Sequence, residues 1–172
     1  MSASRVASPL SRLPDWFVNG VATVFFLGKI GPAPGTLGAL AGTVFYALVL
    51  QEASPSTGFW TLLALLVAGV PFCGEAEKRM GKRDPGCVIL DEFAVMPIVF
   101  LGIAFPAGIW ANLAVLAAGF GLFRFFDIKK PLGIDRLQDL PGGFGIMADD
   151  ILAALYSCAL LHILTALLRL AV

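Results

Sequence analysis

Five long apolar stretches dominate the chain: Leu37 to Leu50, Gly58 to Cys73, Phe93 to Phe105, Ala107 to Phe126 and Ile151 to Leu168. In a chain of 172 residues there is no polar layer with which to cover five such helices as buried core, so they read as membrane spans. The predicted fold class is all-α, a multi-pass integral membrane helical bundle of about five short spans. Several stretches fall below the ~20 residues that a helix crossing about 30 Å of hydrocarbon normally needs. That shortfall predicts local thinning of the bilayer, or loops that dip into it. In the first stretch Gly38 and Gly42 form a G-x-x-x-G spacing that lets another helix approach the backbone closely.

Ahead of the first span, Phe17, Val18, Val21, Val24 and Phe25 follow Trp16 in a segment too short to cross. It is expected to form an interfacial or re-entrant helix over residues 14–28, after a polar tail over 1–13 and before a helical bundle over 35–172. No signal-peptide cleavage site stands out, so this end is expected to be retained.

The polar positions add an orientation. Lys29, then Lys78, Arg79, Lys82 and Arg83, then Arg124, Lys129, Lys130 and Arg136 all fall in connections on one side, while the turns around Ser54 and Pro106 carry no Lys or Arg. Basic residues accumulate on the cytoplasmic side of short loops, so the charged face is expected to be cytoplasmic, with Arg169 the one exception. Composition agrees with a membrane protein, at 58% hydrophobic and 14% charged residues. With 12 basic and 12 acidic residues there is no electrostatic case for nucleic acid. Cys73, Cys87 and Cys158 lack paired metal or redox spacing and read as small buried hydrophobes.

The acids follow the bases to the same face, at or near span ends, where polar groups are costly unless paired, hydrated or bound to metal. In DPGCVILDEF, Asp91 and Glu92 interrupt an apolar run, and Asp84 precedes a Pro-Gly turn. In FRFFDIKKP, Arg124 and Asp127 stand three apart on one helical face, followed by Lys129 and Lys130 before Pro131 ends the helix. In GGFGIMADDI, Gly142, Gly143 and Gly145 read as a permissive loop whose backbone N–H groups suit a phosphate, just ahead of Asp149 and Asp150. Bland alternatives exist for each: helix caps for the acid pairs, snorkelling for the lysines, and an N-cap role for Thr36 in GPAPGTLG, which could equally bond a phosphate.

Six carboxylates against one Arg and two Lys leave an excess of negative charge that calls for a divalent cation. Oxygen-only ligands favour Mg²⁺, which commonly bridges carboxylates to a substrate phosphate. Asp84, Asp91, Glu92, Asp127, Asp149 and Asp150 are the candidate metal ligands. The single histidine, His162, lies well inside the last apolar stretch, where a packing hydrogen bond is expected and not catalysis.

The motifs PAPGTLGAL, DPGCVILDEF and FRFFDIKKPLGI followed by GGFGIMADDI resemble those of phosphatidylglycerophosphatase A, in the same order and spacing from about Gly28 to Ala154. The resemblance implies a multi-pass bacterial inner-membrane enzyme that hydrolyses the phospholipid phosphatidylglycerophosphate to phosphatidylglycerol and phosphate, with Mg²⁺ required. It implies that the six acids above are motif acids, that Arg124 and Lys130 are motif cations, and that Gly35 and Thr36 belong to the first motif. The chain departs from the family where Ala94-Val95 stands in place of a Gly after the acid pair, and Ala39 in place of a Ser.

The expected machinery is therefore one or two Mg²⁺ ions held by Asp91, Glu92, Asp127, Asp149 and Asp150, the same five acids being the catalytic candidates. Thr36, Arg124, Lys130, Gly142 and Gly143 are the substrate-binding candidates. Both metal-activated water and an aspartyl-phosphate intermediate suit these residues. The D-G-x-x-A-R pattern of head-group phosphotransferases is absent from the chain. A cation transporter is the rival from another class, and it predicts carboxylates near the membrane midplane.

Overall fold

The structure is a computed structural model, and it describes residues 9–171. Residues 1–8 of the polar tail, and residue 172, lie outside the described residues. Among the described residues all regular structure is helical: α1 Asp15–Ala22, α2 Pro34–Phe45, α3 Pro55–Met80, α4 Leu90–Val99, α5 Ile109–Lys129, α6 Ile134–Leu137 and α7 Gly143–Ala171. The chain is thus an all-helical membrane bundle.

Three helices, α3, α5 and α7, are long and apolar enough to cross a membrane. The other two apolar stretches do not form helices of that length. Helix α2 is prolonged by a π-helical turn over Tyr46–Leu50, and Pro34–Leu50 together form a shorter apolar helix. Helix α4 has only 10 residues, roughly 15 Å of rise, so Phe93 to Phe105 is not one helix. The chain leaves α4 at Phe100 and continues without regular helix. Arg169 Nη2, near the end of α7, donates to Ala104 O at 2.6 Å, and His162 Nε2 donates to Leu101 O at 2.9 Å. The α4–α5 connection is therefore held along α7 to its far end. Within this connection Phe100 and Ile103 are buried while Leu101, Gly102 and Ala104 are exposed, and Phe100 O accepts from Tyr46 Oη.

Glycine sets the closeness of the central contacts. A Cβ on Gly42 would stand 2.6 Å from Phe93 O, and one on Gly38 would stand 2.8 Å from Ile89 Cβ, so the G-x-x-x-G pair is the seat of α4 on α2. Ala39 and Ala94, the positions that depart from the family, are fully buried. Gly74 and Gly143 mark the crossing of α3 and α7, where a Cβ on Gly143 would lie 1.8 Å from Val70 O.

Helix α1 has 8 residues, about 12 Å, too short to cross by itself. It is fastened to α3 through Arg79, whose guanidinium reaches Asp15, Glu75 and the carbonyls of Leu10 and Leu13. Trp16 and Phe25 are exposed beside it, as apolar residues facing lipid would be.

Candidate active site

The acidic segments meet at one end of the bundle because α4 and α7 start there and α5 finishes there. Asp91 and Glu92 occupy the first turn of α4, and Asp91 Oδ1 accepts the Glu92 N–H at 3.0 Å. Asp150 comes from α7. One carboxylate oxygen from each of Asp91, Glu92 and Asp150 lies within 4.8 Å of the others. Asp91 and Asp150 are only 5% and 4% exposed, so the cluster has little water to offset its charge. Gathering ionised carboxylates out of water costs several kcal/mol unless a cation is supplied.

Two protein cations flank the cluster, each engaged by an acid. Arg124 Nη1 lies 2.5 Å from Asp127 Oδ2 and 3.8 Å from Glu92 Oε1. Lys130 Nζ lies 2.5 Å from Asp149 Oδ2. Burial works against the Lys130 charge, but the bond to Asp149 and the fields of Asp149, Asp150 and Asp127 outweigh it and hold the ammonium above the ordinary lysine value. Lys130 reaches inward because it caps α5 with left-handed backbone, φ 45°, whereas Lys129 remains exposed.

The pairs do not complete the hydrogen bonding. Glu92 Oε2, Asp149 Oδ1 and Arg124 Nε are buried without a partner. Unpartnered buried oxygens facing a carboxylate cluster are what a divalent cation with oxygen ligands would satisfy. The donor set therefore fits Mg²⁺, through Asp91, Glu92 and Asp150.

Of the six predicted metal ligands, three are brought to ligand distance of one another. Asp127 and Asp149 adjoin them as ion-pair partners. Asp84 sits apart in a left-handed turn, φ 44°, on the rim of a polar cavity of about 350 Å³ also lined by Arg83, Asp135, Gln138 and Gly142. Gln138 lies near Asp149 at the inner side of that rim.

Three local expectations are corrected. Gly143 and Gly145 are not a loop ahead of the acids but the first turn of α7, which places Asp149 and Asp150 six and seven residues inside the helix and excludes a capping role for them. Gly143 meets Val70 and Gly74, a packing contact, while Gly142, with φ 59°, opens onto the cavity. Thr36 is not an N-cap either: Ala33 holds that place with Pro34 behind it, and Thr36 is half-buried in the first turn of α2. Cys73 is buried as expected, whereas Cys87 and Cys158 are only partly so.

Reading the residues alone missed Gly35, Gln138 and Arg83. A Cβ on Gly35 would fall 2.1 Å from Glu92 Oε1 and 3.3 Å from Arg124 Nη1, so the start of α2 is the wall against which the Glu92–Arg124 pair rests. The motif PAPGTLGAL held that signal, but its glycine gave no hint of which side chain it admitted.

Fold and site together define a helical membrane protein with a buried carboxylate cluster and two flanking cations at one end of its spans. The family model for phosphatidylglycerophosphatase A matches residues 20–165. A phosphatidylglycerophosphatase A of Haemophilus influenzae is 38% identical over 141 residues, covering 81% of this chain and 83% of that protein. One of Escherichia coli is 33% identical over 167 residues, covering 94% and 86%. A Bacteroides thetaiotaomicron protein, named provisionally as a phosphatidylinositol-3-phosphatase, is 37% identical over 157 residues, covering 88% and 96%. No solved structure matches the chain with significant similarity. The chain belongs to the phosphatidylglycerophosphatase A family, a family of phosphatase hydrolases.

Proposed function

We propose that this protein is a Mg²⁺-dependent lipid phosphomonoesterase that converts phosphatidylglycerophosphate to phosphatidylglycerol and inorganic phosphate at the cytoplasmic face of a bacterial inner membrane. The observation that carries the reading is the Asp91–Glu92–Asp150 cluster, with unpartnered oxygens beside Arg124 and Lys130. Asp91, Glu92 and Asp150 would hold the metal, which when bound supplies charge neutralisation at the phosphate and a more acidic water.

The chain's own residues do the remainder. Arg124 and Lys130 are positioned to receive phosphoryl oxygens, and Asp127 and Asp149 hold them there in the free enzyme. Arg124 presents a planar fork with a free Nε, which suits bidentate contact with phosphate. Water adds its oxygen to phosphorus as the bond from phosphorus to the glycerol oxygen breaks. One water proton goes to a carboxylate, which returns it to the departing lipid alkoxide, and the other stays on the released phosphate. Burial of the acids keeps bulk water from screening these charges.

The cytoplasmic orientation is supported by the basic residues gathered at the acid end, Lys78, Lys82, Arg83, Lys129 and Arg136 among them, against Arg169 at the other. Clustering at one end of the helices also disfavours the cation-transporter alternative, which calls for carboxylates near the midplane. The test is phosphate release by the detergent-solubilised protein from phosphatidylglycerophosphate, phosphatidic acid and phosphatidylinositol 3-phosphate, with Mg²⁺ or with EDTA. Release from the first that is selective and lost in EDTA is expected. Equal release from all three would remove the head-group selectivity, and no release from folded protein would overturn the phosphatase reading.

A further inference from the structure

We infer that the outer face of the α3–α7 crossing is a binding groove for one acyl chain of the substrate lipid, leading its phosphate end to the acid cluster by way of Gly142. The inference rests on the lipid-phosphatase reading above and adds to it the path by which the substrate is held.

A groove of about 890 Å³ runs along this face, between Leu66, Val67 and Val70 of α3 and Phe144, Met147 and Ile151 of α7. Its volume is in the range of small-molecule sites. Its lining is apolar for most of its length and turns polar at one end, at Glu75 and Lys78. Glu75 is already paired with Arg79, whereas Lys78 forms no ion pair among the described residues. From Leu66 to Lys78 the helix rises roughly 18 Å, close to the depth of one hydrocarbon leaflet, about 15 Å. The groove therefore has the length and polarity of an acyl chain below an anionic head group.

Its upper end adjoins the polar cavity beside the site through shared lining residues. Gly74, Lys78 and Gly142 line both the groove and a second recess that adds Lys82 and Arg83. Gly142 and Arg83 also line the polar cavity whose wall includes Gln138, the neighbour of Asp149. The recess sets Lys78, Lys82 and Arg83 against the single carboxylate of Glu77, and neither lysine forms an ion pair among the described residues, so its rim is net positive and complementary to a phosphomonoester bearing close to two negative charges. An ordinary zwitterionic lipid would satisfy the apolar wall but not this rim.

Val67 and Phe144 are 65% and 64% exposed, so both can be replaced without disturbing the core. Val67→Trp fills the groove and Phe144→Ala removes part of its wall. Each is expected to raise KM for long-chain phosphatidylglycerophosphate in mixed micelles by roughly tenfold, with turnover of a water-soluble short-chain analogue unchanged. Unchanged KM for both substrates, or an equal loss on both, overturns the groove. A second measurement does not depend on turnover: phosphatidic acid with a diazirine-bearing acyl chain, photolysed with the full-length protein in nanodiscs. Labelling should map to residues 66–74 and 144–151 and be displaced by excess unlabelled phosphatidic acid but not by phosphatidylcholine. Labelling elsewhere, or displacement by either lipid alike, overturns the proposal. If wild type labels as expected yet releases no phosphate, the phosphatase reading fails while the lipid groove stands.

Discussion

At the far end of the bundle, His162 and Arg169 direct their N–H groups to the carbonyls of Leu101 and Ala104 in the α4–α5 connection, and both bonds are closed. At the acid end the same chain buries three clustered carboxylates, and three of the four buried side-chain atoms without partners among the described residues belong to Glu92, Asp149 and Arg124. Both ends place polar groups among helices of low polarity, His162 and Arg169 on the surface and the acids in the interior, yet it is the buried end that leaves bonds open. One end closes its hydrogen bonds and gains a fixed depth for the chain. The other leaves bonds open, as the metal and phosphate proposed above would require.

The contrast breaks most sharply at Asp150. Asp150→Asn should lower phosphate release by on the order of a thousandfold, and Asp127→Asn should abolish turnover while the protein remains in the membrane. If the cluster is a strained, ligand-ready site, Asp150→Asn should also raise the melting temperature in EDTA, because one of three like charges is gone. Each kcal/mol relieved is worth roughly 2–4 °C in a chain of this size. A lower melting temperature in EDTA would make the acids structural.

Lys130 comes next. Lys130→Met strands Asp149, whose side chain is 4% exposed, and breaking such a buried pair costs about 3–5 kcal/mol. Adding Asp149→Asn should restore most of the stability but none of the activity. Thermal melts of the two single variants and the double variant read the coupling directly; additive losses would show that the pair is not a unit.

How much of this was legible beforehand differs between the two ends. The acid end could be read because ionisable residues in apolar runs are costly, so Asp91-Glu92, Arg124…Asp127 and Asp149-Asp150 announced themselves in sequence. Their division of labour could not, since it depends on helix phase. Lys130, not Lys129, turns inward through a left-handed cap, and the start of α7 at Gly143 moves the last two acids into a helix interior. Three of the five apolar stretches fall in helices long enough to cross, but hydropathy does not distinguish a helix from an irregular apolar segment, so the end of α4 at Val99 was not legible. His162 was correctly assigned to packing, because a lone imidazole in an apolar run needs only one acceptor.

Gly35 sharpens the comparison from the wall side. Its missing Cβ is the space occupied by Glu92 Oε1, so Gly35→Ala must push the carboxylate away from Arg124. A displacement of about 1 Å in a reacting site costs on the order of a hundredfold in turnover. The melting temperature should hardly move, since the carboxylate and guanidinium are side-chain ends that can give way. Equal activity would mean that Glu92 is not held in a productive position by α2.

The smallest effect is expected where the bonds are closed. Arg169→Met removes the donor to Ala104 O, and His162→Phe removes the donor to Leu101 O. Hydrogen bonds between membrane segments average about 0.6 kcal/mol and reach roughly 2 kcal/mol, so each variant should lose about that much stability by thermal melt. Turnover per folded molecule should be unchanged, because the bonds fix the α4–α5 connection at the end of the bundle opposite Asp91 and Glu92. Loss of turnover without loss of stability would mean that the depth of α4 is transmitted along its 10 residues to the cluster. In that case the closed end would be setting the position of the carboxylates, and the two ends would have to be treated as one device.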